Sequence, residues 1–286
     1  MEIADRMLRI DAHQHFWRYA AEDYPWIGDN MPALKRDRLP QDLKPALDAM
    51  DIAGCIAVQA RADETENAFL LELVDANPWI VAVVGWIDLL SDDADSRIDH
   101  WRMHPKFRGV RHLLQDDPEI AATLVDPRFN SSIGALQERQ LAYDVLVRGT
   151  MQLAAAVPFC ARHDRHWLVL DHLGKPVIGA TVDTAWHDAI RALGALPHVV
   201  CKVSGLVTEL ATPGIDADAI RRHLDVVLDA FGAERLMFGS DWPVCALRAG
   251  YPQVVAVIRD WAARLSAHEQ IQLWSGCAAR CYGFTA

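Results

Sequence analysis

The 286-residue sequence has no apolar run long enough to cross a membrane; its longest, such as WIVAVVGWI (79–87), are strand-length. It also lacks an excess of basic residues. With 28 Lys and Arg against 39 Asp and Glu, the formal net charge of −11 argues against non-specific binding to nucleic acid or to an anionic membrane. The six cysteines (Cys55, Cys160, Cys201, Cys245, Cys277 and Cys281) include no C-x-x-C pair, so reduced packing thiols of a cytoplasmic protein are expected. That points away from a cysteine nucleophile. No glycine-rich fingerprint follows any strand-like run, which weakens a dinucleotide-binding reading. The opening MEIADRMLRIDAH has no basic region followed by an apolar stretch and a cleavage site, so no secretory signal is expected. No Gly/Ser linker or low-complexity segment marks an internal boundary.

What the sequence does contain is an alternation. Short runs rich in β-branched residues are separated by longer amphipathic stretches. The expected strands are 7–13, 54–59, 79–87, 107–113, 142–147, 166–173, 198–204 and 235–241. Between them, segments such as LPQDLKPALDAMD, ETENAFLLELVDAN and DADAIRRHLDVVLDAFG read as helices. Eight strands, each followed by a helix, imply an α/β fold of the (β/α)8 TIM-barrel type, a single domain over residues 1–286. The near-continuous apolar character of the strands fits a parallel sheet covered on both faces. Residues 19–40 read as a long loop after the first strand.

In such a barrel the C-terminal strand ends build the active site. Here those ends carry chemistry: His13 and His15 on the first strand, Gln59 on the second, Arg111 on the fourth, and Asp171 and His172 on the sixth. Lys202 and Ser204 lie on the seventh, and Asp241 and Trp242 on the eighth. A period of two turns His13 and His15 to one face. By the same alternation Asp171 points away from His172 and takes a structural role. Pro243 cannot donate to a ladder, so the last strand stops near Asp241, which then either caps the next helix or faces the pocket as a general base.

The H-x-H on a first strand with an aspartate ending the last resembles the amidohydrolase superfamily. More narrowly, DAHQHFW, LDHLGKP, CKVSGLVTE and FGSDWPV resemble the sugar-lactone hydrolase branch typified by L-fuconolactonase and L-rhamnonolactonase, over about residues 8–284. The resemblance implies a (β/α)8 barrel that hydrolyses a 1,4- or 1,5-aldonolactone without a required metal. One departure is Cys277, where the family commonly has asparagine.

A binuclear metal site generally needs a further ligand on the middle strands, and the fifth strand ends without histidine or lysine. The set His13, His15, His172 and Asp241 has the chemistry to hold one divalent metal such as zinc, optional rather than required. The expected mechanism has Asp241 as base toward water, with His13, His15, His172 and Arg111 as donors to the carbonyl oxygen. Gln59, Lys202 and Ser204 are expected to bind sugar hydroxyls, and Trp17 and Trp242, rather than Trp26 or Trp86, to supply the apolar wall. The partner is a small sugar lactone. Other readings are a metal-dependent amidohydrolase or decarboxylase of the same barrel type acting on a small carboxylic acid, or a barrel that binds a sugar acid without turning it over.

Overall fold

The computed structural model describes residues 8–285. Eight parallel strands pair in chain order: β1 (Ile10–Gln14), β2 (Gly54–Val58), β3 (Ile80–Gly85), β4 (Phe107–Val110), β5 (Ala142–Val145), β6 (Leu168–Leu170), β7 (Val199–Val203) and β8 (Leu236–Phe238). The barrel closes between its first and last strands just past their ladder ends. There the Asp241 N–H bonds the His13 carbonyl at 2.8 Å and the His15 N–H bonds the Trp242 carbonyl at 2.7 Å. All eight expected strands are present; β1 runs one residue further, to Gln14, and the other seven are shortened where their C-terminal residues leave the ladder, while Met7, which opened the expected first strand, lies outside the described residues.

Alternation along the strands sorts two apolar layers. Ile56, Val58, Ala82, Val84, Val169 and Val200 fill the barrel interior. Their neighbours, including Cys55, Ala57, Val83, Leu168 and Leu170, face the helices instead. The helix Ala217–Phe231 shows how that outer layer is made: Asp216 caps it by accepting from the Ala219 N–H at 2.9 Å, and Ile220, Leu224, Val227 and Phe231 form one buried stripe. Cys277, Cys281 and Tyr282 of the last helix pack onto the interior layer, so Cys277 is a floor residue of the barrel. All six cysteines are buried and unpaired. Among the described residues, no helix is long and apolar enough to cross a membrane.

The loop after β1 is not structureless. Trp17 and Arg38 pair as an antiparallel bridge, a short 3-10 turn forms at Pro32–Leu34, and Trp17, Tyr24, Ile27 and Leu34 make a satellite apolar cluster. This packing holds Trp26 and Met31 over the C-terminal mouth of the barrel.

Candidate active site

The pairing of β1 with β2 shifts register between Asp11 and Gln14, a local irregularity that lets Ala12 and His13 both turn inward. Asp11 stays on the outer side and fastens the seam. Its carboxylate accepts from the Ser240 N–H (2.8 Å), the His13 N–H (3.2 Å) and the Tyr251 hydroxyl (3.1 Å). Burial pushes the Asp11 carboxyl up to about 6. Asp241, next to Ser240, sits at φ 59°, a left-handed conformation that costs a non-glycine residue energy and is held here by the backbone bond to His13.

Around Asp241 the imidazoles converge. His15 Nε2 lies 3.4 Å and His13 Nε2 3.8 Å from its Oδ1. Because a carbonyl only accepts, the 2.8 Å contact of His15 Nδ1 with the Val58 oxygen fixes the His15 proton on Nδ1 and turns Nε2 toward Asp241. His172 Nδ1 pairs with the Ser204 hydroxyl at 2.9 Å. Space for this ring depends on Gly205, whose φ is 67° and whose added Cβ would meet His172 Nδ1 at 2.6 Å.

Burial by itself would raise the Asp241 carboxyl, but His172, His15 and His13 outweigh it and hold Asp241 well below the usual carboxylate range. Burial lowers His172 to about 4 and lowers His13 as well. Near neutral pH the site therefore presents an ionised carboxylate among neutral His13 and His172 rings.

Beneath it lies a buried ionic lattice. Asp171 Oδ1 is 3.3 Å from His13 Nδ1 and 3.2 Å from Lys202 Nζ, and its Oδ2 accepts from Arg111 at 3.1 Å. The same Arg111 nitrogen lies 3.3 Å from His13 Nε2. A proton on His13 Nδ1 would be shared with Asp171 and leave the Nε2 lone pair for Arg111, while Lys202 Nζ also lies 3.2 Å from Nδ1. Lys202 also pairs with Asp144 of β5, and its Nζ lies 5.4 Å from the centre of the Tyr282 ring.

Several expected assignments change in light of these contacts. Asp171 does not point away from His172. The strand ends at Leu170, and His172, at φ 54°, rotates back to the same side, so period-two alternation no longer applies. Lys202 is fully buried and spent on carboxylates. Gln59 is likewise buried; its side chain receives one Arg111 nitrogen at 2.9 Å and donates to the Arg111 carbonyl at 3.1 Å, so it clamps the guanidinium. Ser204 serves His172. None of these three lines the cavity.

That cavity, about 300 Å³, opens over Asp241, His15, His172 and Arg111, within the ligand-pocket range of roughly 300–1,000 Å³. His13 lies just below it. Trp17 and Trp242 are not in its wall: Trp17 donates its Nε1–H to the Arg36 carbonyl inside the satellite cluster, and the Trp242 ring packs on Phe16 and Arg38. Trp26 and Met31 take that place, with Val244 and Leu247 beside them. The opposite arc is polar and was missed from the sequence: Gln115, Arg148, Lys175 and Glu209. Lys175 and Glu209 lie inside the quoted motifs LDHLGKP and CKVSGLVTE, in the turns that follow β6 and β7, which was the available signal.

One ligand atom each from His13, His172 and Asp241 lie within 4.8 Å of one another. Two imidazoles and a carboxylate at that spacing fit one zinc-type ion. His15 adjoins Asp241 but stands outside this mutual set.

A family model described as Amidohydrolase matches residues 10–284. An L-fucono-1,5-lactonase of Burkholderia multivorans is 52% identical over 285 residues, covering 96% of this chain and 96% of that protein. An L-fucono-1,5-lactonase of Burkholderia ambifaria is 41% identical over 239 residues, covering 84% and 81% respectively. A crystal structure of an amidohydrolase from Burkholderia multivorans with bound zinc matches with a TM-score of 0.92 at 52% identity, covering 97% of this chain and all of the other.

Proposed function

The chain belongs to the amidohydrolase family, and from that premise we infer that it is a lactonase that opens L-fucono-1,5-lactone to the aldonic acid. The similarity to lactonases over nearly the whole chain carries this reading. The cavity's chemistry agrees with it, because a deoxy-sugar lactone has hydroxyls for the polar arc of Gln115, Arg148, Lys175 and Glu209 and a methyl for the apolar arc of Trp26 and Met31.

In the mechanism we assign, Asp241 takes a proton from water as the water oxygen bonds to the lactone carbonyl carbon. The carbonyl π pair moves onto oxygen. On collapse the ring C–O bond breaks and Asp241 returns the proton to the departing ring oxygen. His172, its Nδ1 receiving the Ser204 hydroxyl proton, can turn an Nε2–H to the cavity, while His15 shares the cavity side of the Asp241 carboxylate. His13 and Arg111 brace one another and fix the geometry from below.

His13, His172 and Asp241 would hold a divalent metal, which when bound supplies carbonyl polarisation and a more acidic water. We assign it no required step. Arg111 and Lys202 lie beside the two ring nitrogens of His13, and Lys202 pairs with Asp144 of β5.

Acid release in weakly buffered indicator, over a panel of aldonolactones differing at single stereocentres, tests the activity. The fastest turnover is expected with L-fucono-1,5-lactone. No release from any sugar lactone, with turnover of an aromatic or dicarboxylic acid instead, would overturn the lactonase reading.

A further inference from the structure

We propose that Lys175 is a catalytic residue of this reaction, its side-chain amine donating hydrogen bonds to the lactone carbonyl oxygen as negative charge builds there; the proposal rests on the lactonase reading above. Four consecutive residues adopt left-handed backbone: His172 (φ 54°), Leu173 (56°), Gly174 (70°) and Lys175 (50°). Only one is glycine, and each of the others costs on the order of 1–3 kcal/mol. The turn is closed by the Lys175 N–H on the His172 carbonyl at 2.8 Å and anchored by Leu173, which is fully buried. Its consequence is that His172 at one end and Lys175 at the other both face the cavity. A simple connection from β6 to the following helix needs neither.

The donor inventory keeps the same residue available, beside His172 and Arg148 on the cavity wall. A developing oxyanion needs N–H groups that have no other partner. Arg111 spends one terminal nitrogen on Asp171 and His13 and the other on the carbonyl and side chain of Gln59, so only its buried Nε lacks a partner. His13 has both ring nitrogens engaged. Lys175 differs: its Nζ donates once, to Gln115 Oε1 at 2.7 Å, and among the described residues no carboxylate pairs with it. Two of its three N–H groups stay free, on the wall of the cavity that Asp241 also lines. Lys202 shows the opposite condition, paired with two carboxylates.

During the reaction Lys175 keeps its protons. Asp241 receives the water proton and later delivers it to the ring oxygen, while Lys175 stabilises the charge on the carbonyl oxygen between those events. The aldonate product presents a similar anionic oxygen, so product binding reports the same contact.

The test is Lys175→Met, read by kcat, KM and calorimetric binding of L-fuconate. Loss of one oxyanion donor predicts a fall in kcat of about 10²–10³-fold with a much smaller change in KM. Product binding is expected to weaken at least about tenfold. Lys175→Arg, which keeps the donors, should recover part of kcat. A purely structural role would lower thermal stability and leave kcat of the folded fraction unchanged. Should Lys175→Met fail to fold, Lys175→Gln is read in the same way. A variant within about threefold of wild type in kcat overturns the proposal. The wild-type rate on L-fucono-1,5-lactone, measured alongside, tests the lactonase reading separately.

Discussion

Asp241→Asn is expected to lower kcat on L-fucono-1,5-lactone on the order of 10⁴-fold while leaving the thermal unfolding temperature near that of wild type. The substitution keeps the side chain's shape, the left-handed backbone and the amide bond to the His13 carbonyl that closes the barrel. It removes the one carboxylate that, among the described residues, meets both His13 and His15 at the cavity floor. The wild-type pH profile follows from the same geometry. Asp241 is held ionised well below the usual carboxylate range, so lowering the pH from about 7.5 to about 5 should leave the rate nearly constant. The acid limb is expected near 4, where His172 takes a proton and its charge beside Asp241 weakens the base. Near-normal turnover by Asp241→Asn, or an acid limb centred near 6–7 in wild type, would remove Asp241 from the role of base.

Lys202→Met should cost stability rather than affinity for substrate. Lys202 lies between Asp144 and Asp171, and all three side chains are fully buried. Removing the cation leaves two carboxylates without it, and breaking a buried pair on one side typically costs about 3–5 kcal/mol. At this chain length that corresponds to roughly a 10 °C lower unfolding temperature. The sign of the pH dependence is fixed by the proton balance. Asp144 is already raised to about 6 by burial despite Lys202, and without the lysine its folded pKa rises further above the unfolded value. The folded variant then holds protons that the unfolded chain releases, so its deficit shrinks toward acid pH and grows as pH rises through about 6. Scanning calorimetry at several pH values reads this directly. A variant of wild-type stability with a raised KM would restore Lys202 to the substrate-binding role expected from sequence.

The barrel was legible because each strand is a compact apolar run bounded by helix-forming segments, and a parallel sheet covered on both faces requires that pattern. The H-x-H pair was legible for the same reason, since both histidines lie inside or beside a regular strand. Past the ladder ends the period of two stops being informative. The left-handed turn at His172–Lys175 brought Asp171 and His172 to one side and added Lys175, which no alternation rule anticipates. Lys202 to Asp144 and Gln59 to Arg111 are pairings between strands, set by barrel geometry rather than by sequence neighbourhood. Buried in this way, residues that read as substrate ligands hold the site together instead. Trp17 and Trp26 follow the same strand, and which of them reaches the cavity was decided by the fold of the loop after β1.

We propose that lactone hydrolysis is driven by Asp241 and the chain's own donors, with metal accommodated but not required. It is tested most directly by acid release from L-fucono-1,5-lactone catalysed by enzyme exhaustively treated with chelator, its metal content checked by elemental analysis. The expected result is a rate equal to that of untreated enzyme with metal at background. A lost rate that zinc alone restores would contradict it and make His13, His172 and Asp241 essential ligands.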